Sequence, residues 1–361
     1  MLEGLSRLPL YMLFRRIGRP KPLPMSLTVS VTSACNSRCK TCRIYDMHYG
    51  QLTLAQYGEI FRSLGRAPLW VTLSGGEPFL REDLAEICAA LYSRCRPAVI
   101  NIPTNGILHH KIAPAVHTIA TLCSGARVVV NLSLDAVGDM HDEIRGVPGN
   151  FEKALKTYHN LKGLQARGVA NLSLGIHTVI SRFNVAAIPR IVPELLSLQP
   201  DSYITEIAEN RVELETMNLE ITPEPAAYQA AIDFITERMR TYTFRKLGRV
   251  IRALRLEYYR HVKALLFGKS ARWPCYAGFA STQIMPDGQV WACCIRGHSL
   301  GHLAETGYDF PQLWFSRKAD GVRQAIKESR CQCPLANSSY TNMLLHPPTL
   351  LAIGARALAL R

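Results

Sequence analysis

Cys35-Asn-Ser-Arg-Cys39-Lys-Thr-Cys42 places three thiols on one short stretch, in the spacing C-x3-C-x2-C. Thiolates are soft ligands, and three on a tight loop can hold three corners of an iron–sulfur cluster. Three ligands on a four-iron cluster leave one iron open, the arrangement by which catalytic metals keep a free position. Zinc is the competing reading. It wants a fourth ligand, which His48 can supply. A second group of thiols lies far along the chain. Cys275 precedes Pro286-Asp287-Gly288, a hairpin turn signal, and Cys293 and Cys294 follow it. Cys331 and Cys333 come later and supply one or two more ligands beside Cys275 and Cys293. Cys294 is the alternative ligand, because adjacent side chains point differently. A closed zinc ribbon is the plain reading of this second group. Cys88, Cys95 and Cys123 stand alone on helical patterns and read as buried thiols. Eleven cysteines, an odd number in tight clusters, argue for metal ligation in a reducing compartment rather than a disulfide framework.

The elements that must position these groups follow from periodicity. Apolar β-branched runs at 26–32, 70–73, 99–103, 128–134, 171–180 and 202–208 alternate with helical patterns at 54–64, 84–92, 111–122, 151–166 and 186–198. Such alternation predicts an α/β fold with a parallel sheet covered by helices. Six βα units are too few for an eight-stranded barrel and suit an open, partial (β/α)6 barrel or a doubly wound sheet, in either case with function at the carboxyl ends of the strands. The polar residues fall at those ends. The triad follows the first strand. Ser74-Gly75-Gly76-Glu77-Pro78 follows the second, where glycines permit close backbone approach and a carboxylate can accept from an ammonium. Thr104-Asn105-Gly106 ends the third, and Asn105 also reads as an Asx turn. By alternation Asn131, Ser133 and Asp135 share one face of the fourth. Arg145 can pair with a carboxylate ligand, or with Asp142 on the surface. His177, on the fifth strand, faces the mouth or is a satisfied core histidine. Glu206, on the sixth, points into the mouth or pairs with a base.

The triad after a first strand, then Gly-Gly-Glu-Pro after the second, resembles the radical S-adenosylmethionine (radical SAM) superfamily. Cys275, Gly288 and Cys293, in the order C-x12-G-x4-C, resemble the auxiliary-cluster domains called SPASM and twitch. The larger SPASM form carries more cysteines than this chain offers, so the resemblance implies one auxiliary [4Fe–4S] cluster. It also implies a catalytic [4Fe–4S] cluster on Cys35, Cys39 and Cys42, with S-adenosylmethionine on its open iron. Gly75, Gly76 and Glu77 would then position the methionine amine, while Asn105, Ser133 and Arg145 would complete the cofactor site. The implied activity is reductive cleavage of S-adenosylmethionine to a 5′-deoxyadenosyl radical that abstracts hydrogen from a substrate. An electron donor such as flavodoxin or ferredoxin is implied with it. The alternative is a zinc-stapled scaffold without radical chemistry.

Composition bounds the rest. The chain has 361 residues, with 48% hydrophobic and 19% charged, which excludes a disordered chain. No apolar run reaches the roughly 18 residues of a membrane span. The apolar stretch from Leu8 to Phe14 is short and its arginines follow it, so it reads as an amphipathic segment and not a signal peptide. The expected division is 1–25, a core at 26–210, a linker with basic helices at 211–272, an auxiliary domain at 273–340 and an apolar tail at 341–361. The formal charge of +14 favours an anionic partner. In the basic segment, Leu247, Val250, Ile251, Leu254, Tyr258 and Val262 recur at helical spacing between arginines. That pattern suits a helix lying on an anionic membrane, with a lipid or lipid-linked substrate, or a helix packed on the barrel with solvated arginines. The auxiliary domain suggests a peptide substrate instead. No nucleic-acid module is recognisable, and the expected location is cytoplasmic, with peripheral attachment at the inner membrane as an option.

Overall fold

The computed structural model describes residues 6–242, 248–329 and 331–359. Leu247 of the expected apolar stripe and the first five residues lie outside the described residues, as do the side chains of Val250 and Ile251. A helix α1 (Leu8–Ile17) precedes six βα units: β1 (Ser26–Thr32), α2 (Leu54–Leu64), β2 (Trp70–Gly75), α3 (Leu84–Cys95), β3 (Val99–Thr104), α4 (His109–Leu122), β4 (Arg127–Ser133), α5 (Asp139–Arg145), α6 (Asn150–Ala166), β5 (Leu172–Ile180), α7 (Ile188–Ser197) and β6 (Ser202–Ile207). Helices α8 (Pro225–Thr241) and α9 (Gly248–Leu266) follow. The cysteine-rich end contains β7 (Ser281–Ile284), β8 (Gln289–Trp291), β9 (Ser299–His302), α10 (Phe310–Trp314), α11 (Arg317–Glu328), α12 (Ala336–Leu344) and α13 (Pro347–Ala359).

The strands form one sheet in the order β6-β5-β4-β3-β2-β1-β7-β8-β9. From β6 to β1 every pair is parallel, as continuous apolar strands with intervening helices demand. Alternate residues such as Val29, Val31, Val71, Leu73, Ile100 and Ile102 are buried beneath helices. Each such side chain contributes roughly 1.5–3 kcal/mol on burial. The helices start where the sequence provides caps. Thr53 and Gln56 form a reciprocal capping box on α2, with hydrogen bonds of 2.8 and 3.3 Å. Strand β7 adds to the free edge of β1, also parallel, and β8 and β9 continue antiparallel. The cysteine-rich segment thus extends the same sheet.

In the basic segment the apolar stripe packs inward at Tyr258 and Val262 and Arg238, Arg240 and Arg260 are exposed, but two arginines depart from the expectation of solvated side chains. Arg252 and Arg255 on α9 are 8% and 6% exposed, and Tyr258, Tyr259 and Val262 beside them are buried. Arg252 Nη1 donates to the carbonyls of Met239 (3.3 Å) and Arg240 (3.2 Å), at the carboxyl end of α8. A guanidinium there satisfies last-turn carbonyls and meets the negative end of the helix dipole. The Arg255 guanidinium lies 4.8 Å from the Tyr340 ring centre. These arginines are internal fasteners, neither solvated nor available to a membrane.

Candidate active site

A cavity of about 200 Å³ opens at the carboxyl ends of the strands, and Cys35, Cys39 and Cys42 line it. The register of β1 on β2, with Ser30 opposite Ser74, sets the thiol loop beside the glycine loop. Gly76 N–H donates to Thr32 O (2.8 Å) and Glu77 N–H to Ala34 O (2.9 Å). A Cβ on Gly75 would stand 2.1 Å from Thr32 O, and one on Gly76 2.1 Å from Ala34 O. Gly75 also has φ +123°, a conformation side chains oppose. The close approach expected of the glycines is therefore made to the thiol loop itself.

Glu77 is fully buried. Its Oε1 accepts from Phe79 N–H (3.2 Å) and Thr104 Oγ1 (2.9 Å), and its Oε2 from Asn105 N–H (2.7 Å). Burial pushes the carboxyl up to about 7 against these hydrogen bonds. The side chain thus ties the end of β2 to the end of β3. Asn105 does two things at once. Its Oδ1 accepts from Ile107 N–H (3.0 Å), the Asx turn, while Nδ2 donates to Asn36 Oδ1 (2.7 Å) and Ser37 Oγ (3.2 Å) on the thiol loop.

The far side of the thiol loop is pinned by α5. Arg38 N–H donates to Arg145 O and Lys40 N–H to Ile144 O, both at 2.9 Å. Arg145 corrects the expectation of a surface pair with Asp142. Its Nε stands 2.9 Å from Asp135 Oδ2, a charge contact outside aligned hydrogen-bond geometry, and its Nη1 donates to Cys39 Sγ (3.8 Å). Burial lowers the guanidinium pKa, but Asp135 and Cys39 more than offset it and the net shift is upward. Asp142 instead accepts from the backbone N–H groups of Gly149 (2.5 Å) and Phe151 (2.7 Å). Burial holds the thiols neutral, pushing Cys35 up to about 11 and Cys42 to about 12, with Cys39 also raised. Metal binding would release those protons.

Ser133, Asp135, His177 and Glu206 line the same cavity with Glu209 and Arg211. Asn131 points away to donate to Asn101 Oδ1 (2.7 Å) and is not in the cavity lining. His177 Nε2 is buried, has no hydrogen-bond partner among the described residues and stands 3.6 Å from Glu206 Oε1. Burial lowers its pKa. Arg211 Nη2 lies 3.4 Å from Glu206 Oε2 and 3.1 Å from Glu209 Oε1. Burial alone would raise Glu206, but His177 and Arg211 bring its pKa down; Glu209 is pushed up to about 7 by burial, partly offset by Arg211. Glu209 and Arg211 were missed in the sequence. The signal was a run of charges directly after the sixth strand, where a barrel mouth lies.

The second thiol group also gathers. Cys275 feels Cys331 and Cys293, Cys333 feels Cys275, and Cys331 is hydrogen-bonded to Cys333. Cys294 is buried on another side, toward Glu213 and Arg211. Cys88, Cys95 and Cys123 are buried as expected. His48 is exposed and outside the cavity lining. Among the described residues, no three His, Cys, Asp or Glu side chains close around a single ion.

Three thiols on the loop after the first strand stand beside a glycine loop at the carboxyl ends of a parallel sheet, an arrangement that suits an iron–sulfur cluster of the radical SAM kind. Residues 29–183 match the Radical SAM superfamily, and residues 275–334 match SPASM, an Iron-sulfur cluster-binding domain. The first implies a [4Fe–4S] cluster with S-adenosylmethionine and the second auxiliary iron–sulfur binding. The chain is 32% identical to Pre-heme d1 synthase of Dinoroseobacter shibae over 190 residues, 52% of this chain and 43% of the relative. It is also 32% identical to Mycofactocin maturase MftC of Mycobacterium tuberculosis over 182 residues, 49% of this chain and 43% of the relative. The match thus spans less than half the length of these relatives. A solved structure, native anSMEcpe with bound AdoMet and Cp18Cys peptide, shares the fold at TM-score 0.59 and 15% identity, over 94% of this chain and 100% of that one. The cavity fits the implied group: three half-buried thiols line it, no Cβ intrudes from Gly75 or Gly76, and Arg145 lies against one thiol.

Proposed function

We propose that this chain is a radical SAM enzyme acting on a peptide. The convergence of the Cys35, Cys39 and Cys42 thiols with the Gly75-Gly76 backbone in one cavity carries the reading. When bound, the [4Fe–4S] cluster and S-adenosylmethionine supply a one-electron cleavage and a hydrogen-abstracting 5′-deoxyadenosyl radical. The protein's part is to bind, orient and exclude water. Cys35, Cys39 and Cys42 hold the cluster as thiolates, and the Arg145 guanidinium stabilises the negative charge at Cys39. The Gly75-Gly76-Glu77 backbone receives the methionine amine, and Ser133 and Arg145 meet the ribose or carboxylate. Asn105 serves by holding Asn36 and Ser37 in place. Val179, Ile207, Ala208, Leu214 and Ile221 form the apolar lining that keeps water from the radical. His177, Glu206, Glu209 and Arg211 form the polar wall that faces the substrate.

Cys275, Cys293, Cys331 and Cys333 hold one auxiliary [4Fe–4S] cluster in this reading, with Cys294 as a packed thiol. The domain limits are 26–210 for the core and 273–340 for the auxiliary domain. A peptide substrate is supported by the mycofactocin maturase likeness and the peptide in the anSMEcpe structure. The burial of Arg252 and Arg255 weakens the support that the basic segment gives to a lipid substrate. The charge of +14 suits an acidic electron donor such as flavodoxin or ferredoxin in the cytoplasm. No helix among the described residues is long and apolar enough to cross a membrane.

The test is 5′-deoxyadenosine formation from S-adenosylmethionine under anaerobic reduction. Wild type is expected to form it, and more rapidly with a peptide pool than with porphyrin or lipid. Cys39→Ala is expected to form none while keeping its auxiliary iron. Cleavage retained by Cys39→Ala would overturn the site assignment, and stimulation by porphyrin alone would overturn the peptide reading.

A further inference from the structure

We propose that the outward face of α1 docks the protein on an anionic membrane surface. The helix turns two different faces outward and inward. Leu10, Leu13 and Ile17, at i, i+3 and i+7, are 41%, 41% and 64% exposed, while Tyr11 and Phe14 are 1% exposed. Apolar side chains at that spacing form one stripe. The flanks are basic. Arg16 and Arg19 are exposed, and Arg7 Nη1 donates to Arg66 O, which brings a further exposed arginine alongside. Leu8–Ile17 contains no acidic residue. An apolar stripe rimmed by arginines complements an interface of acyl chains below anionic headgroups. Its charge does not complement a second copy of a chain that is itself +14.

The helix is fastened rather than trailing. Tyr11 Oη donates to Leu23 O (2.7 Å), and the Phe14 and Phe279 rings meet edge to face at 5.2 Å. Arg15 Nε donates to Cys275 O (2.7 Å), and Lys327 Nζ donates to Arg16 O (3.2 Å). Leu23 and Arg66 precede β1 and β2, so α1 sits by the amino ends of the strands, away from the mouth. Docking through α1 leaves the mouth open to water. The surface sits against the backbone of Cys275 instead.

The experiment is co-sedimentation of the full-length, cluster-loaded protein with phosphatidylcholine vesicles, with and without about 30% phosphatidylglycerol. Wild type is expected to pellet with the anionic vesicles at about 0.1 M salt, and at least about tenfold less with neutral vesicles or at about 0.5 M salt. Leu10→Ser/Leu13→Ser/Ile17→Ser and Arg16→Glu/Arg19→Glu are each expected to lose about tenfold in binding, with iron content and melting temperature kept. Unchanged binding by the triple variant would overturn the proposal, as would equal binding to neutral vesicles. Light scattering covers the other occupant. A wild-type dimer that the triple variant turns into a monomer would make the stripe a self-interface and overturn it too.

Discussion

Arg145 joins two parts of the mouth, with Nε 2.9 Å from Asp135 Oδ2 and Nη1 3.8 Å from Cys39 Sγ. Asp135 is 2% exposed, so removing the guanidinium strands a buried carboxylate. Arg145→Leu is therefore expected to cost about 3–5 kcal/mol in anaerobic urea unfolding, and Arg145→Leu/Asp135→Asn less. A cost below about 1 kcal/mol for the single variant would show that the pair is not buried as described. His141 offers a pH test next to it. Its Nδ1 accepts from Asp135 N–H (3.2 Å), and burial lowers its pKa from 6.5 to about 4. The unfolded chain therefore takes up a proton first. Stability is full above pH 6.5 and is lost as pH falls toward about 4. His141→Asn keeps an acceptor and does not titrate. Relative to this variant, wild type should lose about 1 kcal/mol between about pH 8 and pH 5.5, read from parallel urea titrations. Parallel pH profiles would contradict a neutral buried histidine. The sequence announced the thiols and the glycines because their spacing is local. It did not announce that Glu77 is occupied by Phe79, Thr104 and Asn105, nor that Asp142 caps a turn, because those partners are chosen by tertiary approach.

The six βα units were legible because period-2 and period-3.6 patterns survive in parallel sheets and amphipathic helices. Helix α9 departs from its sequence pattern because arginine counts as polar by type while two of its arginines are buried. Arg252, Arg255, Tyr259 and Val262 fall at i, i+3, i+7 and i+10, one helical stripe, and all are buried. The stretch after β6 reads as a linker from its Thr222-Pro223-Glu224-Pro225 run. Its order comes from other segments: Arg43 N–H donates to Leu214 O (3.0 Å), Val212 N–H to Ile295 O (3.1 Å) and Glu213 N–H to Cys294 O (3.2 Å). Gln283 Nε2 also donates to Glu213 Oε1 and to Ser30 Oγ. A stretch between the Cys42 and Cys293 loops thus touches both. The pairing of β7 with β1 makes a prediction about the element. A chain ending at residue 272 bares the β1 edge, which carries a row of unpaired backbone groups. It is expected to aggregate on size-exclusion chromatography. A soluble, monomeric fragment would mean that the core closes without β7.

At the scale of the whole molecule, one sheet carries both thiol groups, one beyond β1 and one around β7 and β8. The mouth lies at one end of the strands and α1 at the other, so chemistry and the proposed docking face are spatially separate. Two iron–sulfur sites in one chain is the central claim, and metal analysis reads it directly. Iron, sulfide and zinc per chain should be measured after anaerobic purification, on wild type and on Cys35→Ala/Cys39→Ala/Cys42→Ala. Expected are about eight irons in wild type and about four in the variant, with matching sulfide. Four irons falling to none, with one zinc kept, would contradict the auxiliary cluster while leaving the core. Zinc alone in both proteins, even after reconstitution, would contradict radical chemistry altogether.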